Sequence, residues 1–283
     1  MLTESQRDSL DVVLVSPRNP LNIGAAARAM ANFGFGRLLV VAPFEPTWRE
    51  ARSAIGAPEL LQNAKASTTL AEAVAGATLV LGTGTLTRRK AEQRVVALPE
   101  LAPLVGRELA CGGRIALVFG PEKHGLTRDD LSFCHLLVEI PTDPKQPSMN
   151  LGQAVAVCLY ELTRSAVAET PSGKWADADQ NSGKNDDEEP SRAKARIDYV
   201  NFMRGLKPPP PSERLDLLAG VIEEAMQAAG YSPRAMQPAN RHDLRLLLRR
   251  LSLSAHDTRR ILGLFRRILW RLRQVQDSDG KSG

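Results

Sequence analysis

Over residues 1–167, short apolar runs of strand length alternate with stretches of helical periodicity, and that alternation leaves few folds open. The runs fall at residues 11–16, 37–41, 77–82, 115–119 and 136–140, and are built mainly from Val, Leu and Ile. Helices are predicted at 22–33, 69–75, 99–110 and 150–167, with 48–64 a helical or irregular excursion broken at Gly56 and Pro58. Strand–helix alternation of this kind implies an α/β fold with a mainly parallel sheet and right-handed crossovers.

In such a sheet, ligands bind outside the carboxyl ends of the strands, where loop backbone is free and strand tops make an apolar floor. Two of the runs empty at once into punctuated polar loops. Residues 115–119 lead into Gly120-Pro121-Glu122-Lys123-His124-Gly125, after which Thr127 and Asp130 form an N-cap pair that starts a short helix. Residues 136–140 lead into a loop stiffened by three prolines, which ends in Ser148-Met149-Asn150 where the long helix begins. The free N–H groups of that helix start would face the pocket.

A third strand ends in Gly82-Thr83-Gly84-Thr85 and is followed by the basic run Arg88-Arg89-Lys90. The G-x-G invites a dinucleotide reading, but Thr87 stands where the third glycine belongs and no helix pattern begins there, which disfavours a nicotinamide enzyme. The stretch serves better as a third floor loop. The first strand runs through Pro17-Arg18-Asn19-Pro20 into a helix for which Asn22 is the expected N-cap and Gly34 the stop. Five alanines between positions 25 and 31 give that helix almost no side-chain bulk, so it suits close packing against a sheet or a second subunit, and Arg28 stands out among them.

The chain has 283 residues, 43% hydrophobic and 24% charged, which suits one globular domain with an appendage. No apolar run approaches the ~20 residues that span a bilayer, and the first ten residues lack a basic, then greasy, leader pattern. A cytoplasmic protein with no membrane partner is expected. Cys111, Cys134 and Cys158 form no C-x-x-C pair and read as buried free thiols; the four histidines lack zinc-site spacing, so no metal is expected.

The net charge of +5 becomes informative once located. Residues 170–194 are polar, acid-rich and nearly free of aliphatics, so a flexible acidic linker is expected over 169–195, between a catalytic domain at 1–168 and a helical segment at 196–275, with a disordered tail at 276–283. In the helical segment, pieces are predicted at 197–204, 211–229, 241–251 and 254–274. The second carries Leu215, Leu218, Val221, Ile222 and Met226 on one face. Residues 241–273 hold ten arginines, no lysine and two acids. Arginine's fork of donors suits phosphate contact, so Arg245, Arg249, Arg250, Arg259 and Arg260, with Arg18, Arg88, Arg89 and Lys90, are candidate RNA contacts. The plainer reading is a solvated, dimer-covering helix. With only Phe265 and Trp270 for stacking, contact with backbone and RNA shape is favoured over base reading.

Read together, Asn22-x-Gly24-x3-Arg28-x4-Phe33-Gly34, Leu117-Val118-Phe119-Gly120-x-Glu122-x2-Gly125-Leu126, and Ile140-Pro141 with Ser148-Met149-Asn150-Leu151 resemble the three signature motifs of the SpoU/TrmH branch of the SPOUT RNA methyltransferases, in order and spacing. The C-terminal helices look most like those of the bacterial enzymes that methylate the ribose of cytidine or uridine at nucleotide 32 of the tRNA anticodon loop. The length and acidity of the linker depart from typical members.

The resemblance implies a trefoil knot at the carboxyl end of the catalytic domain, a homodimer, tRNA as partner and S-adenosylmethionine as methyl donor. Carried over by position, the cofactor would sit on Thr83, Gly84, Thr85, Gly120, Ile140, Ser148, Met149 and Asn150, with Leu81 and Leu151 completing an apolar wall. The resemblance places Arg28 at the attacking 2'-oxygen, often as base. A guanidinium with a pKa above ~12 has no lone pair to accept a proton, so an electrostatic and positioning role is preferred, with an RNA phosphate as acceptor. Asn22, Glu122, Ser148 and Asn150 are the other catalytic candidates. Asn22, Ser148 and Asn150 stand equally where helix caps are needed, and Glu122 either holds a loop through backbone N–H groups or orients Arg28. Two rivals stand beside this reading: the same chemistry on another tRNA position or on ribosomal RNA, and a non-catalytic dimeric RNA-binding protein.

Overall fold

The computed structural model describes residues 2–44, 46–84, 91–167, 209–231 and 236–279. Within them, seven strands form one sheet: β1 (Leu10–Val15), β2 (Leu38–Val41), β3 (Lys65–Ser67), β4 (Leu79–Thr83), β5 (Arg94–Ala97), β6 (Ile115–Phe119) and β7 (Leu136–Glu139). Their order is β3-β2-β1-β6-β4-β7-β5, and every neighbouring pair is parallel. The later strands enter late: β6 slots between β1 and β4, and β7 between β4 and β5, after both neighbours of each have been formed by earlier chain.

All of β1 and β6 is buried, which is why they read as unbroken apolar runs rather than as alternating ones. Successive side chains point to opposite faces. Leu10, Val12, Leu14, Leu117 and Phe119 join one core layer, and Val13, Val15, Ala116 and Val118 the other. The first layer is covered by α2 (Pro20–Phe33), α5 (Leu101–Ala110) and α7 (Leu151–Val167). The second is covered by α4 (Leu70–Ala73) and by the chain around α6 (Arg128–Ser132). Two further short α-helices, α1 (Glu4–Arg7) and α3 (Pro58–Gln62), and two single 3-10 turns, Trp48–Glu50 and Leu98–Glu100, belong to this part.

Five strands fall where the apolar runs placed them; β3 and β5 do not announce themselves. Both are sheet edges, β3 with no buried residue and β5 with only Val96 buried, so neither carries a dense apolar signal. Pro58 opens α3 rather than breaking a helix, because a proline at the first helical position lacks only an N–H that would be orphaned anyway. The same rule corrects the start of α2. Its N-cap is Asn19, whose side chain accepts from Leu21 N at 2.9 Å, and Pro20 occupies the first turn, leaving Asn22 inside the helix. Gly34, at φ 73°, ends the helix in the left-handed conformation.

α2 lies directly against α7. A Cβ on Gly152 would stand 2.7 Å from Ala25 Cβ, so these small residues let the two backbones close to a distance larger side chains forbid.

The C-terminal helices are α8 (Ser212–Ala228), α9 (Gln237–Arg250) and α10 (Ala255–Asp279). They share a third apolar cluster, in which Leu215, Leu218, Val221, Ile222, Leu248 and Leu262 are buried and Met226 packs at the side. The helix predicted at 197–204 and the linker expected at 169–195 lie outside the described residues. The tail expected from 276 is corrected in part, since α10 continues to Asp279. Among the described residues, no helix is long and apolar enough to cross a membrane. Cys134 and Cys158 are buried and burial pushes both thiols up to about 12, whereas Cys111 is exposed, contrary to expectation.

Candidate active site

The three motif segments meet at the carboxyl ends of β1, β6 and β7. Glu122, in the loop after β6, binds the turn after β1: its carboxylate accepts from Arg18 N at 3.1 Å, Asn19 N at 3.2 Å and Asn22 Nδ2 at 2.8 Å. Asn22 Oδ1 accepts in turn from Asn150 Nδ2 at 2.9 Å. Asn150 Oδ1 then caps α7 by accepting from Gly152 N at 2.9 Å and Gln153 N at 3.4 Å. One chain of hydrogen bonds therefore pins the three loops together across more than 100 residues of sequence. Partial burial works against the charge of Glu122, but the Asn22 amide and the N–H groups of Arg18 and Asn19 outweigh it, so the carboxyl titrates below its ordinary range. It is an ionised acceptor near neutral pH, not a proton source.

Beside this chain lies a cleft of about 210 Å³ walled by Gly84, Phe119, Gly120, Ile140, Met149 and Leu151, with Glu122 and Ser148 at its rim. Gly120 has no substitute here: a Cβ would stand 2.2 Å from Leu126 N and 2.3 Å from Gly125 C, inside its own loop. Thr142 Oγ1 donates to Pro147 O at 3.3 Å and closes the third loop on itself.

Of the residues expected to hold a cofactor, Thr83, Gly84, Gly120, Ile140, Ser148 and Met149 wall the cleft, while Asn150 anchors it from behind. Thr83 contributes little side chain, being buried with its hydroxyl donated to Val118 O at 3.0 Å. Leu81 is corrected to a core residue at 1% exposure, and Phe119 provides the apolar floor in its place. Thr85, Arg88, Arg89 and Lys90 lie outside the described residues. Lys123 and His124 also line the cleft and were not singled out from the sequence, because nothing in a loop's local pattern shows which way its charges face.

Arg28 is not a wall of this cleft. It stands exposed on α2, about 9 Å along the axis from Asn22 by helical rise. The bonds of Glu122 among the described residues are those of the loop-holding alternative.

The expected RNA contacts divide. Arg18, Arg250, Arg259 and Arg260 are exposed. Arg249 is corrected to a structural residue. Its side chain is 2% exposed, and its guanidinium donates to Phe133 O, Ser212 Oγ and Asp216 Oδ1, each at 3.0 Å. Arg245 is also turned inward, donating to Asp129 Oδ1 at 2.9 Å with its guanidinium 4.1 Å from the centre of the Phe133 ring. Both arginines clamp α9 to α6.

Spacing along the chain also hid a meeting of Glu92, His242 and Asp243, whose ligating atoms lie within 4.8 Å of one another. Both Glu92 oxygens are already engaged, one by Arg128 and the other by His242. His135 is turned into the fold: its Nδ1 accepts from Val80 N at 3.0 Å, and desolvation pushes its pKa down to about 3. A larger cavity, about 1120 Å³, lies at the opposite, amino ends of β4 and β7 against α9. It opens beside Pro209, where the described chain resumes, and none of the motif loops reaches it.

A parallel sheet with three punctuated loops tied together at its carboxyl edge defines an α/β protein with a small-molecule cleft at the strand ends. The chain belongs to the SpoU rRNA methylase family, whose model matches residues 9–160. It is 40% identical over 162 residues to the tRNA (cytidine/uridine/adenosine-2'-O-)-methyltransferase TrmJ of Pseudomonas aeruginosa (strain UCBPP-PA14), a match covering 57% of this chain and 63% of that one. It is likewise 40% identical over 155 residues to the tRNA (cytidine-2'-O-)-methyltransferase TrmJ of Methanocaldococcus jannaschii, covering 54% and 66%. These matches span a little under two thirds of the relatives' length. Among solved structures, TrmJ from Z. mobilis ZM4 superposes with a TM-score of 0.70 at 28% identity, over 91% of this chain and 98% of that one.

Proposed function

We propose that this chain transfers a methyl group from S-adenosylmethionine to a ribose 2'-oxygen of tRNA, at cytidine or uridine 32 of the anticodon loop, and that it does so as a cytoplasmic homodimer. The observation that carries the reading is the bonded sequence Glu122–Asn22–Asn150, which turns three separate motifs into one cleft. The names of the two curated relatives point to the same reaction. The proposal carries a division into a catalytic part at residues 1–168, a linker at 169–195 and an RNA-binding helical part at 196–275. The late entry of β6 and β7 into the sheet supports a trefoil knot at the carboxyl end of the catalytic part.

The cleft fits the cofactor. Gly120 lets loop backbone close on a ligand, strand-end backbone groups offer hydrogen bonds to a purine edge, and Ile140, Met149 and Leu151 supply an apolar wall. When bound, S-adenosylmethionine supplies an electrophilic methyl on a sulfonium. The protein's task is to bring the ribose hydroxyl in line and to stabilise its developing negative charge. Arg28 takes that role by charge and fork geometry, with an RNA phosphate accepting the proton. Glu122 and Asn150 act as positioning residues, and Ser148 lies at the rim nearest the incoming ribose.

Arg28 is exposed and away from its own cleft, which fits a site completed by a second copy. Leu21 on α2 and Tyr160 on α7, 55% and 51% exposed, give the two closely packed helices an apolar surface for that copy. The basic face for tRNA is α10, where Arg259, Arg260, Arg266, Arg267 and Arg271 are exposed.

The test is methylation of a tRNA transcript with labelled S-adenosylmethionine, followed by mapping of alkali-resistant linkages. A single labelled, alkali-resistant linkage after nucleotide 32, with no label incorporated when that nucleotide is 2'-deoxy, supports the reading. Label at another position, or on a base, overturns it.

A further inference from the structure

The hydrogen-bond chain described above accounts for how the cleft is assembled but leaves a second junction unexplained, about the carboxylate of Glu92. That residue lies just before β5, two positions ahead of Arg94. Its Oε1 accepts from Arg128 Nε at 3.1 Å, and Arg128 is the first residue of α6. The same oxygen lies 3.1 Å from Arg128 Nη2, so the guanidinium holds it with two donors. Its Oε2 lies 2.9 Å from Nε2 of His242, a residue of α9 whose side chain is only 8% exposed. The hydrogen bond to His242 and, less strongly, that to Arg128 keep the carboxyl ionised below its ordinary range.

Around this carboxylate the contacts are dense and polar. Gln93 Nε2 donates to Leu131 O at 2.7 Å, again from the chain after β4 to α6. Arg245 and Arg249 bind Asp129, Ser132 and Phe133, the body of α6 and the residue after it. α6 itself is a short rigid peg. Thr127 caps it in a reciprocal pair with Asp130, and Leu126, buried at 1%, anchors its approach. Just before Leu126 runs the Gly120–Gly125 loop, whose backbone walls the cleft. The Gly120–Gly125 cleft loop therefore leads directly into α6, which Glu92, Arg245 and Arg249 tie to the C-terminal helices without using a residue of the cleft itself.

From this juxtaposition we propose that Glu92 is a positioning residue that couples the two binding surfaces: its carboxylate, shared between Arg128 of α6 and His242 of α9, transmits RNA engagement on the C-terminal helices to the cofactor loops. The inference rests on the functional reading above. By linkage, RNA bound to the C-terminal helices raises the affinity of the cleft for the cofactor, and cofactor raises the affinity for RNA by the same factor. Arg128, Asp129, His242, Asp243 and Arg245 are the charged and titratable groups that face this junction, and the two held by Glu92 are the ones a substitution there releases.

The experiment measures the dissociation constant of S-adenosylhomocysteine for the full-length protein by titration calorimetry, alone and with saturating tRNA transcript. In the wild type, RNA tightens binding by about fivefold or more, the lower end of ordinary allosteric coupling. Glu92→Gln and His242→Ala bring the ratio to about one while affinity in the absence of RNA stays within about twofold. His242→Gln, which keeps a donor near the position of Nε2, retains most of the ratio, a rescue that a merely structural role for His242 does not predict. A wild-type ratio of one, or a Glu92→Gln ratio equal to wild type, overturns the coupling while leaving the functional reading intact. Failure of the wild type to bind the homocysteine ligand at all overturns the functional reading, and this inference with it.

Discussion

Arg28 and Arg249 both sit in helices, and both stand out in sequence as functional arginines, yet the fold treats them in opposite ways. Arg28 projects from an alanine-rich helix into solvent, with its guanidinium uncommitted among the described residues. Arg249 is 2% exposed at the side chain and spends its donors on a backbone carbonyl, a serine hydroxyl and an aspartate. One is a charge left in solvent, which the proposed function assigns to the substrate; the other is a bolt between α9, α8 and α6. An arginine count gives a region's charge but not the direction in which the charge is used, and the direction is set by which acceptors the fold brings near.

The sharpest way to break this contrast is to remove the bolt. Arg249→Ala strips its partner from the buried Ser212 hydroxyl, from Phe133 O and from the half-buried Asp216, and such a loss costs about 3 kcal/mol or more. A denaturant titration of the full chain reads it. A change below about 1 kcal/mol, the size of a surface pair, would return Arg249 to the RNA-facing group.

Removing Arg28 should do the reverse. Arg28→Ala is expected to slow methyl transfer about 10²–10³-fold, the size of a lost transition-state donor, without shifting the melting temperature. Arg28→Lys separates charge from fork geometry: an appreciable residual rate in single-turnover assays indicates that charge dominates.

His135 gives a smaller effect of definite sign. Its folded pKa, about 3, lies below the ordinary value of 6.5, so the unfolded chain binds the extra proton between those limits. The stability it contributes is complete above about pH 6.5 and drains away as the pH falls toward 3, amounting to about 1–2 kcal/mol at pH 5. His135→Asn keeps an acceptor for Val80 N and cannot titrate, so thermal melts of the variant should show a shallower loss between pH 7 and pH 5.

The smallest effect belongs to the exposed end of the comparison. Arg259→Ala combined with Arg260→Ala should lower the slope of log affinity for tRNA against log salt by about two, one for each phosphate contact, with stability unchanged. An unaltered slope would leave α10 a solvated face.

The features legible in the sequence are those whose signal is local. β1 and β6 are continuous apolar runs because both faces of the sheet are covered there, and the strand-end loops advertise themselves through Gly120, Gly125 and the prolines between positions 141 and 147. β3 and β5 are short edges and give no such signal. Asn22 reads as the cap of α2, but Asn19 three residues earlier holds that place, and Pro20, which favours the first helical position, is the clue that the reading from Asn22 passed over. The bonds from Glu122 to Asn22 and from Asn22 to Asn150 join residues that the motifs already single out, but their partnership is a property of the fold. Glu92 and His242, 150 positions apart, have no local signature at all.

The most direct measurement is a crystal structure of the full chain with S-adenosylhomocysteine. The expected result is the adenine against Ile140 and Met149, loop backbone from Gly120 closing over the ligand, and Arg28 of a second copy at the open side. Ligand bound instead in the large cavity between β4, β7 and α9, with the motif loops unaltered, would contradict it.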